Sequence, residues 1–279
     1  SDRRLSREDR AFFLSGSQEG AGVWLNAVPS IYKFRCPSAV FKIMLQIRLG
    51  LHIGHTDTIT RCKCGMMADA SFRNGRHWMT KCPKGHRIII HNRIRDQIAA
   101  MYRELAIIVS VEVSGLYAQL TSYGEHKPAD VLVPASAMGS AKAMALDVAI
   151  TDPTNKSALD KHSDKIPLVA AAGRHQQKLT THNQAVQEAG PTGLAFVKVP
   201  LVFETTGAMG KETKKWWDSI KTRDKDLHEF GPQSRRANGL THTWNANSFV
   251  TFWQQSIAVA HARAQAESIS QRIGVCQQA

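Results

Sequence analysis

KPADVLVPASAMGSAKAMALDVAI, residues 127–150, decides how the chain is read. It holds two short apolar runs, DVLVP (130–134) and MALDVAI (144–150), with Pro134 and Gly139 in the segment between them. Proline stops the first run and the glycine-containing segment permits a reversal. The β-branched and aliphatic residues of each run suit a pleated, half-buried surface, so both read as strands. Each strand carries one aspartate, Asp130 at the start of the first and Asp147 inside the second. An acid flanked by Met144, Leu146, Val148 and Ile150 is costly to bury unless it is paired or binds a metal. The competing reading is an aspartate at a strand edge facing solvent, and spacing alone does not choose between them. If the two strands pair, both acids can reach one hard cation, Mg2+ or Mn2+.

Outward from this pair the pattern alternates. IIVSVEV (107–113) and FVKVPLVF (196–203) read as further strands. Ile90, Ile94, Ile98, Met101 and Leu105 recur every three or four positions and mark an amphipathic helix. Further helices are expected over about 169–189, closed by Gly190, and from Lys211 to about Ile220. The order helix, three strands, helix, strand, helix predicts an α/β fold, a small mixed sheet flanked by helices. Residues 1–60 read as a helical linker region ended by Gly50 and Gly54, and 231–279 as a tail with an alanine-rich helix over 249–272. Trp216-Trp217 reads as a cover for the core, with base stacking as the alternative.

Residues 61–87 differ in kind. RCKCGMMADASFRNGRHWMTKCPKGH places Cys62, Cys64, His77 and Cys82 in the pattern C-x-C-x12-H-x4-C, with His86 as a competing ligand. Three thiolates and an imidazole suit tetrahedral Zn2+, and a segment with little apolar periodicity is held more economically by a metal than by a core. A few buried cysteines with unrelated histidines are the plainer reading. Four ligands leave no position for water, so the site would be structural. The five cysteines of the chain are an odd number, three of them crowded together, which excludes a simple disulfide framework and favours a reducing compartment.

The formal charge is +13 and the isoelectric point near 9.8. A field of that sign favours a polyanionic partner, although a basic chain can be merely soluble. Between Arg61 and Arg103 there are ten Lys/Arg against two acids, Asp69 and Asp96. That concentration beside a zinc module points to phosphate contact, with Arg87, His91, Arg93 and Arg95 as candidates. Glu104 and Glu112 are candidate third acids, and Glu204 is expected to cap a turn. No apolar run is long enough for a membrane span, and SDRRLSREDR lacks the apolar centre of a signal peptide. With no initiator Met, the chain is expected to be a piece of something longer.

From Cys62 to Gly210 the chain resembles the carboxy-terminal part of site-specific non-LTR retrotransposon polyproteins, a CCHC zinc knuckle followed by a restriction-endonuclease-like domain. The matching pieces are the Cys/His cluster, His91-Asn92, Lys127-Pro128-Ala129-Asp130, Leu146-Asp147-Val148, Lys178 and PLVFETTG (200–207). The resemblance implies a zinc knuckle over 61–87 and a nuclease domain over 88–230. It implies Asp130 and Asp147 as ligands of catalytic Mg2+ or Mn2+, and Lys178 as the lysine of a PD-(D/E)xK-type site, moved onto the following helix. It further implies a nuclear hydrolase that nicks DNA, with RNA as a second polyanion and a reverse transcriptase region upstream. Three positions depart from the family pattern: Ile90 stands where Arg is usual, Ala129 separates Pro128 from Asp130, and Thr181-His182 replaces a Lys-Tyr pair. The alternative function is a nuclease-dead nucleic-acid-binding or RNP scaffold module.

Overall fold

Alternating valine, alanine and leucine build four strands in the computed structural model, which describes residues 5–54, 59–69, 74–82, 87–117, 120, 129–190, 194–229, 246 and 248–277. They are β1 (Ser110–Val113), β2 (Ala129–Val133), β3 (Ala143–Thr151) and β4 (Phe196–Glu204). The helices are α1 (Arg7–Gly16), α2 (Ser38–Arg48), α3 (Arg87–Glu104), α4 (Ala135–Met138), α5 (Lys156–Asp160), α6 (Val169–Ala189), α7 (Lys211–Glu229) and α8 (Phe249–Gln277). The sheet order is β1-β2-β3-β4. The first two pairings are antiparallel and β3 runs parallel to β4, so the sheet is mixed and flanked by helices as expected. A parallel neighbour needs a crossover, and α5 and α6 provide it.

Period-two alternation gives the sheet two different faces. Val131, Val133, Leu146, Val148, Leu201 and Phe203 join one large cluster with Ile94, Ile98 and Met101 of α3 and Trp253, Ile257 and Ile269 of α8. The same cluster takes in Phe12, Trp24 and Met44 near the N-terminus and Trp78 and Met79 from the Cys/His segment. One core thus draws on all four segments marked out from the sequence. The opposite face is lined by smaller residues, Ala145, Ala149 and Val202, against Ala171 and Ala185 of α6. Small side chains there let α6 lie close to the strands, which brings its inward polar residues within reach of β3.

Most elements fall where the periodicity placed them, with shifted ends. The strand expected over 107–113 is confined to Ser110–Val113, and α7 runs on to Glu229. Helix α8 is an interior element packed against α2 and α3. Trp216 and Trp217 are buried, and Trp216 Nε1 donates to Tyr102 Oη at 3.0 Å, so the pair covers the core. No described helix is long and apolar enough to cross a membrane.

One irregularity positions the site. β4 pairs with all of Ala143–Thr151, whereas β2 pairs only with Met144–Leu146. Beyond Leu146, the β2-side edge of β3 has no strand neighbour among the described residues.

Candidate functional site

Two groups of chemically capable side chains lie on this frame. The first is built by two tight turns. Gly65, at φ +92°, closes a turn in which its N–H donates to Cys62 O and Cys62 N–H donates to Met66 O, drawing Cys62 and Cys64 together. His77–Lys81 form a π-helical turn in which Cys82 N–H donates to His77 O. A five-residue step stacks residues 77 and 82, which is what the x4 spacing achieves. The four ligand atoms of Cys62, Cys64, His77 and Cys82 lie within 4.8 Å of one another. Cys62 Sγ is 3.9 Å from Cys82 Sγ, and Cys64 Sγ is 3.5 Å from His77 Nε2. A tetrahedral zinc ion with ordinary bond lengths sets its ligands about 3.8 Å (S to S) and about 3.5 Å (S to N) apart. The cluster can hold a metal ion and its dimensions are compatible with structural zinc. His86 lies outside the described residues.

This module is not held by ligands alone. Trp78 and Met79 are buried in the main core. Gly75, at φ +76°, touches α8 so closely that an added Cβ would stand 2.7 Å from the Cδ1 atoms of both Ile269 and Ile53.

The second group forms where β2 leaves β3. Asp130 Oδ2 accepts the Val148 N–H at 2.7 Å, taking the place of a strand carbonyl. Asp130 is thereby fixed against the residue that follows Asp147. The same oxygen accepts from His91 Nε2 at 2.9 Å. Burial opposes charge on His91, but the hydrogen bond and charge of Asp130 outweigh it and raise the imidazole pKa. Asp147 is buried on the α6 face, where Lys178 Nζ donates to its Oδ1 at 2.7 Å. Lys198 Nζ lies 2.7 Å from Asp147 Oδ2, in ion-pair range though without hydrogen-bond geometry. Asp130 is thus tied to the strand position after Asp147 and to His91 of α3, while Asp147 and Lys178 meet on the α6 side. Lys127 and Pro128 lie outside the described residues.

Lys198 was missed from sequence. A signal existed: a lysine inside FVKVPLVF is the cationic counterpart of an aspartate inside MALDVAI, each anomalous in its own strand. The parallel register sets Ala145 beside Lys198 and Asp147 beside Pro200, so the two charges are diagonal neighbours on one face. Next to them Tyr117 and His182 pair at 2.8 Å. Burial, then the charge of Asp147, pushes the Tyr117 hydroxyl up to about 12. Burial, then the charges of Lys198 and Lys142, lowers the His182 pKa. Which of Tyr117 Oη and His182 Nδ1 donates depends on the imidazole tautomer.

No family model and no curated protein matches the chain. The residues must therefore speak through their placement. Arg87 and Arg93 are exposed on α3. Arg95 is turned inward, its guanidinium taken up by Asp96, Glu112 and Asn92, so it serves the fold. That pairing also occupies Glu112. Among the described residues, no group of three metal-ligating side chains includes Asp130 or Asp147. Glu204 is fully buried and its Oε1 accepts from Ala171 N–H, capping α6 rather than the turn after β4; burial raises its pKa.

Proposed function

We propose that Asp130, Asp147 and Lys178 form the centre of a divalent-metal-dependent endonuclease that nicks DNA, on a restriction-endonuclease-like core. The zinc module beside it would help position the duplex, in a retroelement-type protein acting in the nucleus. One observation carries the reading. Where β2 parts from β3, Asp130 accepts the amide of the residue after Asp147, and Lys178 Nζ of the crossover helix lies 2.7 Å from Asp147. Buried charges of this kind need a partner or a task, and clustering of acids with a lysine is the pattern of phosphoryl chemistry.

Asp130 and Asp147 would hold Mg2+ or Mn2+ there; bound, the ion would lower the pKa of an attacking water and offset phosphate charge. Lys178 would stabilise charge growing on the phosphate oxygens. Lys198, 2.7 Å from Asp147 Oδ2, would orient that carboxylate, and His91 would hold Asp130 in place. Plasmid nicking with Mg2+ or Mn2+, wild type beside Asp147→Asn, tests the reading. Relaxed plasmid from the wild type alone supports it.

A second reading has its own observation. Both oxygens of Asp147 already face lysine ammoniums, which leaves the carboxylate neutralised without an ion. A nucleic-acid-binding or RNP scaffold module would need nothing more. Absence of cleavage by the wild type with either metal selects it.

A further inference from the structure

A recess of about 680 Å³ opens beside the candidate site, between α5, the first half of α6 and the C-terminal end of β3. Its rim carries four cations, Arg87 from α3, Lys156 and Lys161 at α5, and Arg174 from α6. Asp152 is the one acid in the lining, and it is buried with Oδ1 accepting from Thr154 N–H at 2.9 Å and Thr154 Oγ1 at 2.8 Å. The four cations are exposed. Lys156 meets Asp160 in a surface pair that water screens and that a stronger anion can displace. Arg174 donates to the neutral Gln177 Oε1 at 3.3 Å.

We propose that this recess binds one strand of nucleic acid through its phosphodiester backbone. A volume in the range of small-ligand sites admits one strand's phosphates and sugars and excludes a duplex. Among the described residues none in the lining is aromatic, so bases find no stacking platform there and the contact is to the backbone, independent of sequence. The recess shares two elements with the proposed cleavage centre. Ile150 and Thr151 line it three and four residues after Asp147, about 10–13 Å along β3. Gln177 in its wall immediately precedes Lys178. A strand held there leads toward Asp147; this last step rests on the nuclease reading, whereas binding does not.

The test is fluorescence anisotropy of a labelled single-stranded oligonucleotide with the full chain across a salt series. Wild type is set beside Lys156→Glu/Lys161→Glu/Arg174→Glu, and beside a charge-matched control, Lys42→Glu/Lys211→Glu/Lys215→Glu, on other exposed surfaces. The recess variant should bind at least tenfold more weakly, and its log–log salt slope should shrink by about 2, from three contacts at about 0.7 per phosphate. The control should lose markedly less. Equal loss in both variants overturns the proposal in favour of a general field, and so does displacement by poly-glutamate as effective as by DNA. A wild type that nicks, with a recess variant of unchanged affinity and slope, overturns the recess and leaves the nuclease. A wild type that never nicks, with selective loss in the recess variant, leaves the recess and removes the nuclease.

Discussion

The sulfur–nitrogen cluster and the carboxylate–lysine cluster answer the same physical problem in opposite ways. In the first, three sulfurs and an imidazole nitrogen converge, their ligand atoms within 4.8 Å of one another. Such a group can hold a cation with no partner to displace from its centre. In the second, Asp147 faces Lys178 and Lys198, and Asp130 faces His91 and the Val148 amide. That group is balanced as it stands, and an ion entering it has to displace or share those partners. Structural metal sites gain from lacking alternatives; a site that must bind and release its ligand gains from having them.

The largest expected effect separates the two by metal removal. Stripping zinc with a chelator, or Cys64→Ser, should lower the melting temperature by about 10 °C or more, because metal binding to such a module is folding free energy. Elemental analysis should show one zinc lost. A stable, fully folded protein without zinc would remove the distinction. Next comes Asp147→Asn, expected to reduce nicking by about 100-fold or more with zinc content unchanged. Third is Gly75→Ala. Its Cβ would meet two buried isoleucines at a left-handed backbone position, costing about 2 kcal/mol by calorimetry. Zinc stoichiometry should stay near one if the module is anchored to α8 as well as to its ion. Fourth, Lys198→Met should lower the half-saturating Mg2+ concentration for nicking several-fold, since one competitor for Asp147 is gone. An unchanged metal titration would mean that Lys198 does not contend with the ion.

Acid supplies a background common to all of these variants. His261 is wholly buried, and burial lowers its pKa to about 4. Its unfolded pKa is near 6.5, so below that value the unfolded chain takes up a proton that the folded chain refuses. Stability should fall between pH 6.5 and about 4, and His261→Gln should flatten the melting temperature over that window.

The Cys/His spacing was legible because its ligands lie close in sequence and the turns between them are local. The strands and the mixed sheet followed from period-two alternation, and Lys178 from the resemblance. Lys198 was not found, because its relation to Asp147 depends on the parallel register of β3 and β4, which no local pattern encodes. The inward turn of Arg95 escaped for the same reason: Glu112 belongs to another element. Helix α8 read as a tail because alanine-rich composition does not reveal that its surface is covered on several sides. Likewise the π-helical turn at His77–Lys81 has no propensity signature, only a spacing that it explains afterwards.

Asp130 occupies the position that a peptide carbonyl would fill had β2 continued alongside β3. On the nuclease reading two jobs would rest on one carboxylate, and only one of them would be chemistry. A descendant that had stopped cutting would still keep an acceptor there, since alanine would strand the Val148 amide at about 1–3 kcal/mol. Persistence of that aspartate among copies would record selection for folding. Reading it as a mark of living enzymes would overcount them. Asparagine, which preserves an acceptor oxygen while removing the charge, is the substitution that separates the two histories.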